Sequence, residues 1–414
     1  MDYFNYQHHE LFAEDIAVQE LVKRFGTPLY IYSRKTLERH YQVFDEALGK
    51  YPHKICYSVK ANSNLAVLQV LNQLGSGFDI VSGGELARVL KIKGDPRKVV
   101  FSGVGKLAWE IEQALITDIF CFNVESQSEL ERINHIANQL GKIASISIRV
   151  NPDIDAKTHP YIATGLKENK FGIDIQDAMS FCRYANTLKN IELKGIACHI
   201  GSQLTELQPF LEACKKVLAL IKQLHTEGFS IHHLDLGGGL GVRYLEETPP
   251  SPLEYANALL SVISDFNLEI ILEPGRAIAA NAGILVTQVE YIKQSKYKNF
   301  AIVDAAMNDL LRPTLYDAKQ AVIPAQIRND IPIAEYDIVG PVCETGDFLA
   351  KNRKLAIVAG DWLAVRTAGA YGFVMSSNYN SRPKAAEVMV DGQQAFLVRA
   401  REKIEDLFSG EKIL

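Results

Sequence analysis

Short apolar runs alternate with amphipathic stretches through most of the chain. Pro28 to Ser33 reads as a strand, and Leu37, Tyr41, Phe44 and Leu48 then recur at helical spacing. From there the pattern predicts strands over Lys54–Val59, Phe78–Val81, Lys98–Phe101, Ile119–Val124, Ala144–Val150, Leu193–His199, His232–Leu236 and Glu269–Glu273. Helical patterns lie between them, among them Leu65–Leu74, Gly84–Ile92, Ser126–Leu140 and Pro209–His225. Alternation of this kind implies a parallel sheet covered by helices. Eight repeats in about 220 residues favour a closed (β/α)8 barrel over an open sheet. The connection from Asn151 to Ile175 is long for a βα loop, and such loops tend to carry function.

Beyond Arg276 the pattern changes. Short strands are expected over Ile284–Tyr291, Asn299–Asp304, Ala334–Val339, Leu355–Ala359, Trp362–Val365, Ala386–Val390 and Gln394–Arg399, with some helix near the end. The expected architecture is therefore an α/β chain: a TIM-type barrel plus a C-terminal β-rich domain that also takes in the N-terminal strand. The boundaries read as 1–34 for the segment pairing with the β domain, 35–277 for the barrel and 278–414 for the β domain.

Composition narrows the function classes. With 47% hydrophobic and 22% charged residues, the chain reads as an ordinary soluble enzyme. A net charge of −5 gives no basic footprint for nucleic acid or an anionic membrane. No apolar run reaches the length of a membrane span, and Met1–Glu14 is polar and acidic, unlike a signal peptide. Six scattered cysteines form no CxxC pair, so neither a metal site nor a disulfide framework is indicated. A reduced, cytoplasmic location is the expectation.

Chemistry in such a barrel sits where strands end. Lys60 ends the first strand, within Tyr57-Ser58-Val59-Lys60-Ala61-Asn62. Asp79 lies in the second, Arg149 in the fifth and His199 at the end of the sixth. Gly237-Gly238-Gly239 ends the seventh and Glu273-Pro274-Gly275-Arg276 the eighth. Each has a plainer reading: a solvated lysine, a helix-capping aspartate, a satisfied core histidine, a tight glycine turn, a strand-end ion pair. Together they offer a nucleophilic amine, an anion cradle, a carboxylate and a flat imidazole. Pyridoxal phosphate asks for that set: a Schiff-base lysine, a phosphate site and an acidic partner for its ring nitrogen.

These motifs, in this order, resemble the alanine-racemase-like (fold type III) pyridoxal phosphate decarboxylases, over nearly the whole chain from Thr27 to about Arg401. Further stretches that carry the resemblance are His159-Pro160-Tyr161-Ile162-Ala163-Thr164-Gly165, Asn169-Lys170-Phe171-Gly172 and His199-Ile200-Gly201-Ser202-Gln203. Gly340-Pro341-Val342-Cys343-Glu344-Thr345-Gly346-Asp347 and Gly369-Ala370-Tyr371-Gly372 complete the set. The resemblance implies that Lys60 bonds the cofactor, His199 stacks on its ring and Glu273 binds its nitrogen, with Asp79 beside them. Ser202, Gly238, Gly239, Gly275, Arg276 and Tyr371 would surround the phosphate. Arg276, Arg312, Tyr316 and Tyr371 would meet the substrate. Cys343 and Glu344 match a loop that enters the active site of a second subunit, which implies a homodimer with shared sites. Glu344 would read an ammonium at the far end of the substrate, and Cys343 is a candidate proton donor. Most free cysteines are inert core residues, but the polar, turn-rich segment around Cys343 argues for exposure.

The activity implied is decarboxylation of meso-2,6-diaminopimelate to L-lysine and carbon dioxide, the last step of lysine biosynthesis. Ornithine, arginine or carboxynorspermidine are alternative substrates; glutamate after the cysteine favours diaminopimelate. A racemase of the superfamily, or a non-catalytic cofactor carrier, would have no need of the Cys343-Glu344 loop or the Arg312-Tyr316 clamp.

Overall fold

The computed structural model describes residues 2–155 and 169–414, and the His159–Gly165 motif lies outside them. The chain forms two compact units, one of residues 40–242 and 248–277, the other of residues 1–39, 243–247 and 278–414.

The first unit is a barrel of eight parallel strands: His53–Ser58, Gly77–Ile80, Val99–Phe101, Cys121–Val124, Ala144–Asn151, Ile191–Ala197, His233–Asp235 and Glu269–Leu272. Each pairs with the next, and the eighth pairs back onto the first through Ile270↔His53, Ile271↔Lys54 and Leu272↔Ile55. Closure leaves these strands no free edge, and side chains such as Phe78, Ile80, Val100, Ile146, Ile148 and Ile271 are fully buried. A two-residue strand, Ile173–Asp174, extends the sheet beside the fifth strand.

The strand-to-helix turns are fixed by caps. Asn64, Ser82, Ser126 and Ser251 each accept a backbone N–H from the first turn of the helix that follows. At Ser251 the arrangement is reciprocal, because Glu254 returns its carboxylate to the Ser251 N–H. The helix Gln208–Thr226 shows how the outer layer is held. It buries Phe210, Ala213, Cys214, Val217, Leu218, Ile221 and Leu224 along one stripe. Each large side chain so buried contributes roughly 2 kcal/mol.

Some barrel expectations shift by one or two residues, and the shift matters chemically. The first strand stops at Ser58, and Val59–Ala61 forms a 3-10 turn that carries Lys60. Glu273 follows Leu272, the last residue of the eighth strand, and His199 lies two residues past Ala197. All three stand just beyond the ladders, where the chain is released from sheet pairing.

The second unit is built on a nine-stranded sheet whose main path runs Phe348–Leu355, Ala334–Val339, Asn299–Val303, Gly283–Gln294, Leu29–Ser33, Ala386–Asp391, Gln394–Arg399. Leu29–Ser33 is the N-terminal strand foreseen in the sequence. It is antiparallel to Gly283–Gln294, parallel to Ala386–Asp391 and buried throughout. Two features went unforeseen. A small sheet of Phe4–Gln7, Glu10–Ala13 and Ile16–Ala17 leads into the helix Val18–Phe25, and both join one core with Leu29, Ile31, Ile284, Val286 and Val388. The strand expected over Leu355–Ala359 instead spans Phe348–Leu355, hairpinned to Ala334–Val339. Its lysines and arginine masked it: Lys351, Arg353 and Lys354 break the apolar run, while pairing resumes on both sides of a register shift. The helix expected near the end is a single 3-10 turn, Ile404–Phe408. Ile404 and Phe408 are exposed, so no buried stripe holds a longer helix.

Candidate active site

Lys60 stands in its 3-10 turn with its amine 2.6 Å from Asp79 Oδ2. Asp79 sits in the second strand and is fully buried. The Ser58 hydroxyl lies 2.8 Å from the same carboxylate oxygen and 2.9 Å from the Glu273 carbonyl, joining the first, second and eighth strands. Asp79 does not cap the following helix; Ser82 does. Its other oxygen, Oδ1, makes no hydrogen bond among the described residues. That is a costly state for a buried carboxylate unless a bound group satisfies it.

Glu273 faces two donors, Ser102 Oγ at 3.3 Å and Asn123 Nδ2 at 3.4 Å. Asn123 Nδ2 also donates to Asp235 Oδ2 at 2.9 Å, and the Asp235 and Glu273 carboxyls bond to each other. Burial pushes the Glu273 carboxyl far above the ordinary range, the charges of Asp235 and Asp79 push it further, and Lys60 pulls it back. Asp235 is raised by the same burial and restrained by its hydrogen bonds to Glu273, Asn123 and Gly237. Both carboxyls are thereby shifted toward the protonated form. A cationic ring N–H brought to Glu273 would add a positive partner to this crowded acidic site. Asp235, Asn123 and Ser102 were not singled out from the sequence, because a small polar residue inside a strand gives no sign of what it meets.

The glycine turn after the seventh strand is held open by neighbouring backbone. A side chain at Gly238 would put its Cβ 2.3 Å from the Glu273 carbonyl oxygen. The Gly238 N–H donates to His199 Nδ1 at 3.3 Å, which sets that nitrogen as an acceptor. Desolvation first, then the cations Arg149 and Lys60, keep His199 neutral. Gly239 follows with φ +113°. On the other side, Gly275 lets the chain pass against Ser58 and Ala61, where a Cβ would come within 2.9 Å of both side chains. Arg276 opens the short helix Arg276–Ala279 and donates to Ser202 Oγ from Nη2 at 3.0 Å. Backbone amides of the glycine turns beside a guanidinium and a hydroxyl are the makings of an anion cradle. The cradle, the amine and the buried carboxyl fit pyridoxal phosphate in donor set and charge.

A second buried network stiffens this end of the barrel. Arg149 Nη1 meets Glu125 at 3.0 Å, and Glu125 also accepts the N–H groups of Gly103 and Gly172. The amine of Lys106, with no exposure, is enclosed by Glu129 and the carbonyls of Gly103 and Asn123 at 2.6 to 2.8 Å. All three of its donors are used, so Lys106 is a strut.

The remaining residues named in the sequence lie in the second unit. Arg312, buried, begins the short helix Arg312–Tyr316 with its guanidinium 5.2 Å from the Tyr316 ring centre, 5.5 Å from Tyr244 and 5.9 Å from Tyr371. Cys343 and Glu344 lie exposed in the turn after Gly340. Asp347 closes that turn, accepting the N–H of Met307 and of Val342 at 2.7 Å each. Cys343 is the single exposed cysteine of the six. The other five are buried, and burial raises their thiols away from reactivity.

Comparison with known proteins agrees with this chemistry. Residues 34–280 match the family described as pyridoxal-dependent decarboxylase, pyridoxal binding domain. A diaminopimelate decarboxylase of Vibrio cholerae is 59% identical, with all of both chains covered. The crystal structure of diaminopimelate decarboxylase from Helicobacter pylori complexed with L-lysine superposes with a TM-score of 0.91 at 45% identity, covering 94% of this chain and 98% of that one. The diaminopimelate decarboxylase of M. jannaschii, also with L-lysine, gives 0.96 at 36% identity, covering 100% and 98%.

Proposed function

The chain belongs to the pyridoxal-dependent decarboxylases, among the diaminopimelate decarboxylases, and on that premise we propose that it converts meso-2,6-diaminopimelate to L-lysine and carbon dioxide, closing lysine biosynthesis. The observation that carries this reading is the Lys60 amine, held against buried Asp79 at a barrel mouth that also presents the Glu273 carboxyl.

Pyridoxal phosphate, when bound, supplies an aldehyde for amines and a ring that takes up the electron pair left as carbon dioxide departs. Lys60 would hold it through the aldehyde carbon, Glu273 through the ring nitrogen, and His199 against the ring face. Ser202, Gly238, Gly239, Gly275, Arg276 and Tyr371 would hold its phosphate. Lys60 would be the amine that the substrate amine displaces and that takes the cofactor back at product release, and Asp79 would keep that amine in reach. Glu273 would keep a proton on the ring nitrogen, and the neutral imidazole of His199 would add a flat surface without a competing charge. Arg276, Arg312 and Tyr316 bind substrate carboxylates, and Glu344 binds the distant ammonium, so both charges of the far end meet an opposite partner. Cys343 Sγ, or a bound water, would deliver the proton to the substrate Cα after the carboxylate has left.

A head-to-tail homodimer belongs to the same reading, with Cys343 and Glu344 lent to the site of a second copy. Their exposure supports it. A cytoplasmic location is proposed with it; free thiols throughout are compatible with a reducing compartment.

The test is turnover by the cofactor-loaded protein of meso-diaminopimelate, ornithine or arginine, with carbon dioxide and product both measured. Lysine from diaminopimelate is the expected result; turnover of another substrate in its place would sink the assignment. Mixing inactive Lys60→Ala and Cys343→Ala proteins should restore partial activity. No recovery despite demonstrated subunit exchange contradicts the shared site.

A further inference from the structure

Resting on the reading of Glu344 as the ammonium partner, we propose that Tyr379 is a positioning residue that aims the Glu344 carboxylate at the substrate and so sets substrate affinity. The Tyr379 hydroxyl donates a hydrogen bond to Glu344 Oε1. The next residue, Asn380, accepts the Cys343 N–H on its Oδ1 at 3.1 Å. Two consecutive residues of one segment thus grip the two consecutive residues of the proposed substrate loop, one through a side chain and one through the backbone.

The segment is itself anchored on both sides. The Ser377 N–H bonds to the Asn308 carbonyl at 3.0 Å, and Arg382 Nε donates to Asn308 Oδ1 at 3.0 Å. Asn378 Nδ2 reaches the Arg382 carbonyl at 3.0 Å and Glu402 at 2.6 Å. Between these anchors Asn380 and Ser381 take φ of 58° and 54°, an uncommon backbone for side chains other than glycine. The anchors hold the segment in that backbone, from which Tyr379 and Asn380 reach the loop.

The chemistry of the grip suits recognition. A phenol is neutral, so it orients Glu344 without cancelling its charge, as a lysine or arginine would. It engages one carboxylate oxygen and leaves the charge available for an ammonium. The carboxylate in turn holds the proton on the Tyr379 oxygen, raising that phenol above its ordinary range and keeping it a donor.

Removing only the Tyr379 oxygen tests this. Tyr379→Phe is expected to raise KM for meso-diaminopimelate about tenfold while kcat stays within about twofold. Glu344→Gln is expected to raise KM further, and the double variant should match Glu344→Gln alone, because Tyr379 acts only through that carboxylate. An unchanged KM in Tyr379→Phe, or a double variant worse than Glu344→Gln by the full single-variant factor, overturns the proposal and leaves the reading of Glu344 intact. An unchanged KM in Glu344→Gln overturns that reading itself, and the role of Tyr379 with it.

Discussion

The Lys60 amine lies 2.6 Å from Asp79 Oδ2, pairing a half-exposed cation with a carboxylate that has no contact with solvent. Neighbouring strands bring the two together: Lys60 follows the first strand and Asp79 lies within the second, where Ser58 pairs with Asp79 across the ladder. A long, flexible side chain is thereby restricted to one direction. Asp79→Asn keeps the shape and removes the charge. Stopped-flow absorbance should then record cofactor capture about tenfold slower, the scale of one charge-assisted hydrogen bond. An unchanged capture rate would separate Asp79 from the work of Lys60.

Glu273 offers a sharper electrostatic test. Glu273→Gln preserves an acceptor near Ser102 and Asn123 but cannot become an anion. We expect kcat to fall about 100-fold or more, with cofactor still bound in full when assayed by release after denaturation. Asp235→Asn should cost less, about tenfold, because it acts on the ring only through Glu273. Equal losses for the two variants would argue that Glu273 does not face the ring nitrogen.

Asp309 gives a pH test independent of the barrel. It is buried, accepts the Ala306 N–H at 3.0 Å, and burial pushes its carboxyl up to about 7 against the partial relief of Arg382. A folded-state value above the unfolded one near 3.8 means that the folded protein holds an extra proton between them. Stability from this group is therefore complete below about 4, declines as pH climbs and is lost above about 7. The size is roughly 4 kcal/mol at most. Asp309→Asn should match the wild type in urea midpoint near pH 3.5 and exceed it at pH 8. Parallel curves at both values would rule out this titration.

What the sequence made legible followed physical range. The eight barrel strands were readable because burial on both faces demands unbroken apolar runs, and their helices because burial on one face demands a stripe. Lys60, His199, Gly238 and Glu273 stood out as polar or permissive residues at the ends of such runs. Asp235 did not, although it links Glu273 to the Gly237 N–H at 2.8 Å. Its role exists only because strands seven and eight are neighbours in a closed barrel. Tyr379 was invisible for the same reason, standing 35 residues from Glu344. In the second unit, Phe348–Leu355 was displaced by its own charged residues, and Phe4–Ala17 was missed because strands of two to four residues carry almost no period.

The point of cofactor attachment tests the role of Lys60 most directly. Borohydride reduction of the cofactor-loaded protein, followed by digestion and mass spectrometry, fixes the linkage permanently and reads its position. The added mass should fall on Lys60 alone and disappear in Lys60→Ala. Label on any other lysine, or a reduced protein with no label, would contradict the assignment of Lys60 as the residue that bears the cofactor.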